Sequence, residues 1–170
     1  WGSPVPHPYK NNHWQFEVFG RKPICSGGII PLIMFKSGFW ALVPREDMML
    51  KGKWVEGFGL LGGKVDFKDR KPKDISIREG CEETGHLSDN LIKKFHDQTV
   101  YTVYLDKARY QLYFSLVASN EWEDLRKNYD NAFKGKASHD IDSNNFIRSE
   151  RSLKWIKIAT STTGWCVLGS

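Results

Sequence analysis

The chain has 170 residues, of which 40% are hydrophobic and 14% aromatic, and a formal net charge of +5. That is enough apolar material for one folded domain, and it excludes a compositionally disordered chain. No apolar run reaches the roughly 18 residues of a membrane-spanning helix, and the mild basicity favours polyanionic partners such as nucleic acid or phosphorylated metabolites.

In chain order, residues 1–13 are rich in Pro, His and Asn and read as an extended N-terminal arm. Phe16 to Phe19 is a short strand, and Gly28 to Phe35 an apolar strand whose Pro31 asks for an edge position or a bulge. Lys36-Ser37-Gly38 is a turn, with Phe39 to Val43 as the hairpin partner. Gly57 to Leu61 is a third strand, ending in the double glycine Gly62-Gly63. Pro72 to Thr84 is the best helix, opened by Pro72 and stopped by Gly85. Val100 to Leu105 and Tyr110 to Ala118 alternate as a second hairpin. Glu121 to Phe133 is a helix, and Lys134 to Asn145 a polar, mobile loop. Leu153 to Ile158 is a late strand, and Thr160 to Ser170 an irregular tail. Cys25, Cys81 and Cys166 are too few and too scattered for a disulfide framework or a zinc site, and read as buried thiols.

The chemistry lies in the helix. In Arg78-Glu79-Gly80-Cys81-Glu82-Glu83-Thr84-Gly85, the i, i+3 and i+4 spacing puts Glu79, Glu82 and Glu83 on one face. Three clustered negative charges repel one another, and a divalent cation resolves the conflict. Hard oxygen donors suit Mg²⁺ or Mn²⁺, which share their coordination sphere with substrate phosphates. The bland alternative is a solvated helix face with an Arg78–Glu82 pair, but that does not explain Gly62-Gly63 upstream.

The strand, Gly-Gly loop and helix at 57–85 resemble the signature of the Nudix hydrolase superfamily. The pattern is Gly, five residues, Glu, seven residues, then Arg-Glu-apolar-x-Glu-Glu-x-Gly-apolar. Here five residues separate Gly63 from Asp69, and eight more precede Arg78. The loop is thus one residue longer than the pattern, Asp69 stands for its first Glu, and Gly80 and His86 replace apolar residues. The resemblance implies an α+β Nudix fold, with a mixed β-sheet sandwiched between helices (α/β/α), spanning residues 14–170 as one domain. It further implies Mg²⁺- or Mn²⁺-dependent hydrolysis of a diphosphate linkage. Glu82 and Glu83 would be metal ligands, Glu79 a ligand or the base that activates water, and Arg78 the partner that holds the face in register. A backbone carbonyl of Gly62 or Gly63 and a later carboxylate, Glu150 ahead of Trp155, would complete the metal's shell, with Asp140 and Asp142 as rivals to Glu150.

The basic loop Lys64–Lys73, with Lys64, Lys68 and Arg70, fits the phosphates of a long anionic substrate. Trp54, with Trp14, Phe58 or Tyr113 as alternatives, fits a stacked base. Leu60-Leu61-Gly62-Gly63-Lys64-Val65-Asp66 is similar to the box of viral mRNA-decapping Nudix enzymes. The expected substrate is therefore the 5′ cap of mRNA. Rivals are a small dinucleotide, a nucleotide sugar or a diphosphoinositol polyphosphate, or else a non-catalytic Nudix-like RNA-binding module. The chain starts at Trp1, which fits a processed or trimmed form. A secreted effector acting in a host cytoplasm and a cytoplasmic enzyme are both compatible with it. No oligomeric state can be read from these residues.

Overall fold

The computed structural model describes residues 5–9, 13–17, 21–35, 38–133, 151–161 and 164–169. Strands β1 (Val5–Tyr9) and β2 (His13–Glu17) form an antiparallel pair of their own. The middle of the segment read as an arm is thus a paired strand, and the strand expected from Phe16 begins earlier, at His13. Phe16 anchors the pair. Its side chain is fully buried with Ile24, Val65 and Ile75, and its backbone exchanges hydrogen bonds with Ile24 at 2.7 and 2.8 Å.

The main sheet is mixed. Strand β3 (Ser26–Phe35) runs parallel to β8 (Tyr110–Leu116), which pairs antiparallel with β7 (Thr99–Leu105). On its other side β3 takes two antiparallel partners in succession: β6 (Leu61–Lys64) along 26–29, and β4 (Gly38–Leu50) along 32–35. Pro31 falls in the gap between them, so its missing N–H costs no ladder bond. This is how a fully buried proline fits a strand in the middle of the sheet. Strand β5 (Lys53–Phe58) folds back on β4, and β9 (Arg151–Ser161) pairs with the far side of β4. Strand β10 (Gly164–Gly169) pairs with β9 at the edge, so the expected irregular tail is a strand, in keeping with its Trp-Cys-Val-Leu content.

The expected strand at 57–61 divides in two. Phe58 ends β5, and β6 starts at Leu61, so the double glycine lies inside a strand and not after one. Helix α1 (Pro72–Glu83) starts at Pro72, and Asp74 accepts the backbone N–H groups of Arg70 (3.0 Å) and Lys71 (3.2 Å). It ends at Gly85, whose φ of +65° suits only glycine well, with the Thr84 hydroxyl closing on the Gly80 carbonyl at 2.8 Å. Helix α2 (Asp89–Asp97) was not foreseen, and α3 (Ser119–Phe133) starts two residues before its expected position.

Alternation along the strands gives the sheet two apolar faces. Ile29 and Leu42 face Cys81 of α1, Ile92 and Phe95 of α2, and Leu125 and Tyr129 of α3. Ile30, Leu32, Ala41 and Val43 face the other way, with Leu112, Phe114, Ile156 and Ile158. Each such buried side chain stabilises the fold by about 2 kcal/mol. Among the described residues all three helices lie on the first face. That differs from the expected arrangement of helices on both faces; the coarser reading, α+β with a mixed sheet, is the one seen. No helix among the described residues is long and apolar enough to cross a membrane.

Candidate functional site

Strand β6 and helix α1 meet through glycine. Gly62 pairs with Gly28 and Gly63 with Gly27, so four Cα positions in adjacent strands carry no side chain. On the helix side, a Cβ at Gly63 would overlap the carboxylate of Glu79. On the opposite side, a Cβ at Gly62 would overlap the Tyr110 hydroxyl, the Gly27 carbonyl and the Gly28 Cα. The double glycine thus lets a helix carboxylate rest on the strand backbone.

Arg78 fixes that carboxylate. Its Nη1 donates to Glu79 Oε1 at 2.9 Å and Glu82 Oε2 at 3.2 Å. Nη2 donates to the Lys64 carbonyl at 2.6 Å and Asp69 Oδ2 at 3.1 Å, and Nε to Asp69 Oδ1 at 3.2 Å. These five bonds use all five N–H groups of a guanidinium. Asp69 is 3% exposed and also accepts the Asp66 N–H at 2.8 Å. Burial opposes the charge on Arg78, but the hydrogen bonds and negative charge of Asp69 and Glu79 outweigh it, so its pKa stands above the ordinary arginine value.

Burial also raises the Glu79 pKa. Arg78 offsets part of this, while Glu82 and Asp69 add to it by repulsion. Glu82 is outermost, with its side chain 47% exposed. Glu83 is half-buried one turn beyond Glu79. Burial raises the Tyr110 hydroxyl's pKa, and the negative charges of Glu83 and then Glu79 add to it, which places both carboxylates within electrostatic reach of that phenol. The Tyr110 hydroxyl is itself buried without a hydrogen-bond partner among the described residues.

The basic loop is ordered by its own bonds. Asp66 accepts the Lys68 N–H at 3.1 Å, and Arg70 donates to the Phe67 carbonyl at 2.7 Å. Lys64, Lys68, Arg70 and Lys71 are exposed, whereas Lys73 reaches Asp97 of α2 at 3.9 Å. Of the aromatic residues considered for stacking, Tyr113 packs edge-on to His96 with ring centres 5.1 Å apart, and Phe58 is exposed on β5. Trp54 lies on β5 and Trp14 on β2, but their side chains fall outside the described part of the structure, as do Glu150, Asp140 and Asp142 altogether. Cys25 and Cys81 are free thiols.

Sequence reasoning saw Asp69 only as a stand-in for the pattern's first Glu; the fold makes it the anchor of Arg78. It missed Tyr110 and Gly28, whose signal was the second glycine pair, Gly27-Gly28, in the facing strand.

The donor chemistry fits Mg²⁺ or Mn²⁺: hard carboxylate oxygens at a surface open to solvent. Among the described residues no three His, Cys, Asp or Glu side chains converge to cage an ion by themselves. Mg²⁺ needs no such cage, because it keeps several waters and takes one or two carboxylates plus substrate phosphates. Arg78 occupies one oxygen each of Glu79 and Glu82, which leaves the second oxygen of each to other ligands. No known protein-family model and no curated protein matches the chain.

Proposed function

We propose that this chain is a Nudix-type hydrolase that cleaves a phosphoanhydride with Mg²⁺ or Mn²⁺, and that its favoured substrate is the 5′ cap of mRNA. One observation carries the reading: the Glu79 carboxylate seated over Gly63 and held there by Arg78. A solvated helix face needs neither a glycine beneath it nor an arginine with every donor committed.

Glu82 and Glu83 would hold the ion, and the Gly62 or Gly63 carbonyl and Glu150 are further ligands in this reading. When bound, the ion neutralises the anhydride's charge and orients the attacking water. Glu79 has the pKa direction a general base needs, since burial makes it a better proton acceptor than an ordinary carboxylate. Arg78 keeps its acceptor oxygen in place. The water oxygen bonds to phosphorus, the bridging P–O bond breaks, and the water's proton passes to Glu79. With capped RNA the products are a capped nucleoside diphosphate and a 5′-monophosphate RNA. The exposed Lys64, Lys68 and Arg70 favour a long polyanion over a small metabolite.

The test is cap-labelled RNA incubated with Mg²⁺ or Mn²⁺, beside a dinucleotide, a nucleotide sugar and a diphosphoinositol polyphosphate. Release of labelled nucleoside diphosphate, lost in the double variant Glu82→Gln, Glu83→Gln, is expected. Cleavage of only the small substrates would keep the chemistry and move the substrate. No cleavage of any, or full activity in the double variant, would overturn the assignment.

A further inference from the structure

Three chain segments meet at the end of the sheet where β3 begins. The Cys25 N–H donates to the Arg109 carbonyl at 3.0 Å, and the Cys25 carbonyl accepts the Val65 N–H at 2.9 Å. The 21–25 segment, the start of the 65–71 loop and the β7–β8 turn therefore lie side by side, spaced as strands are, about 5 Å apart. Two further contacts pin them: Arg109 Nε donates to the Pro23 carbonyl at 2.9 Å, and the Tyr104 hydroxyl donates to the Lys22 carbonyl.

Each segment brings positive charge. Arg21, Lys22, Lys64, Lys68 and Lys107 are all exposed here. The nearby acids do not cancel them. Asp69 is consumed by Arg78, Asp66 accepts backbone N–H from its own loop, and Asp106 alone sits in the turn beside Lys107. Aromatic rings interleave with the cations. Phe67 is 58% exposed, with Lys68 Nζ 5.7 Å from its ring centre, and the Arg21 guanidinium lies 5.4 Å from the centre of Tyr104. Exposed cations alternating with exposed aromatic faces are what single-stranded nucleic acid uses: phosphates on the former, bases on the latter. The patch is continuous with the carboxylate site, because Arg78 holds the Lys64 carbonyl.

We propose that this end of the sheet binds single-stranded RNA, with phosphates against Lys22, Lys64, Lys68 and Lys107 and a base stacked on Phe67. That the strand bound there is the substrate's own RNA body rests on the hydrolase reading; the binding itself does not. An anionic bilayer is the competing occupant, which the experiment separates from RNA.

The experiment is fluorescence anisotropy of a labelled, uncapped 5′-monophosphate RNA of about 20 nucleotides, with chelator present so that no hydrolysis can occur. The full chain is compared with Lys22→Glu, Lys107→Glu and, separately, with Phe67→Ala; all three positions are exposed, and far-ultraviolet dichroism checks the fold. The charge reversal should weaken binding at least tenfold and flatten the dependence of log K on log salt, by about 0.7 for each phosphate that is no longer neutralised. Phe67→Ala should cost about tenfold while leaving that slope unchanged. Unaltered RNA affinity in both variants, or binding to phosphatidylserine vesicles in place of RNA, overturns the proposal. RNA binding lost in the variants of a protein that hydrolyses no anhydride would sink the proposed function and keep this surface. Active enzyme whose RNA affinity ignores all three substitutions would do the reverse.

Discussion

The guanidinium of Arg78 forks onto the carboxylate of Asp69 through two parallel bonds of 3.1 and 3.2 Å, nine residues away across the basic loop. This ion pair is nearly out of water, with side-chain exposures of 19% and 3%. It joins the loop to the helix and leaves the other Nη hydrogens to Glu79, Glu82 and Lys64. Asp69→Asn keeps the shape but loses the charge and one acceptor. It should cost about 2 kcal/mol, below the range for a wholly buried pair because Arg78 retains other partners. Urea denaturation reads the loss directly. A variant as stable as the parent would show that the fork adds nothing net.

Gly62→Ala and Gly63→Ala should separate stability from placement. At Gly62 the added methyl meets the backbone of Gly27 and Gly28, which cannot move without opening the β3–β6 ladder. A cost above about 2 kcal/mol is expected, in the range for overpacking. At Gly63 the atoms nearest the methyl are the end of the Glu79 side chain, which can swing away. Its melting temperature should change little, while hydrolysis, measured on the same sample, falls at least tenfold.

The pH dependence of stability should carry the mark of His96. Its Nε2 lies 2.9 Å from the Ser76 hydroxyl, which also lies 3.0 Å from the Lys73 carbonyl. Burial, then the charge of Lys73, pushes its pKa from 6.5 down to about 4. The unfolded chain therefore binds the proton first. Stability from this group is fully present above pH 6.5 and drains away as the pH falls towards 4, by about 3 kcal/mol in all. His96→Gln should flatten that limb of a denaturation-midpoint against pH plot. An unchanged slope would place the acid sensitivity elsewhere.

Tyr110→Phe removes a buried hydroxyl that has no partner among the described residues. Losing a desolvated group costs nothing in bonds, so the variant should match the parent or gain about 1 kcal/mol. A clear loss in thermal melts would mean that the hydroxyl is bonded to solvent.

Helix α1 was legible in the sequence because both its ends are written in side-chain chemistry, Pro72 at the start and Gly85 at the stop. The acidic face was legible because helical spacing alone decides it. Helix α2 was not: Ile92 and Phe95 make a short apolar stripe that becomes a helix only when it packs against the sheet and against Gly80, whose missing side chain leaves room for Ile92. Nor could the placement of Gly62-Gly63 inside β6 be read locally, since it depends on a facing pair of glycines thirty-five residues earlier. The Asp69–Arg78 pair could not be read for the same reason, since it is fixed by how the loop folds back. Strand β10 was missed because its Trp-Cys-Val-Leu run is only four residues long between glycines, and follows a Thr- and Ser-rich stretch.

Strand β3 gives the floor of the candidate site with its first residues, and Ser26 to Ile29 are paired on both flanks, by β6 on one side and β8 on the other. Amide protons at Gly27 to Ile29 should therefore be among the slowest in the molecule to exchange with deuterium, released only when the whole domain opens. An agent that silences the site without unfolding the domain is then expected to act on the helix and loop above that floor.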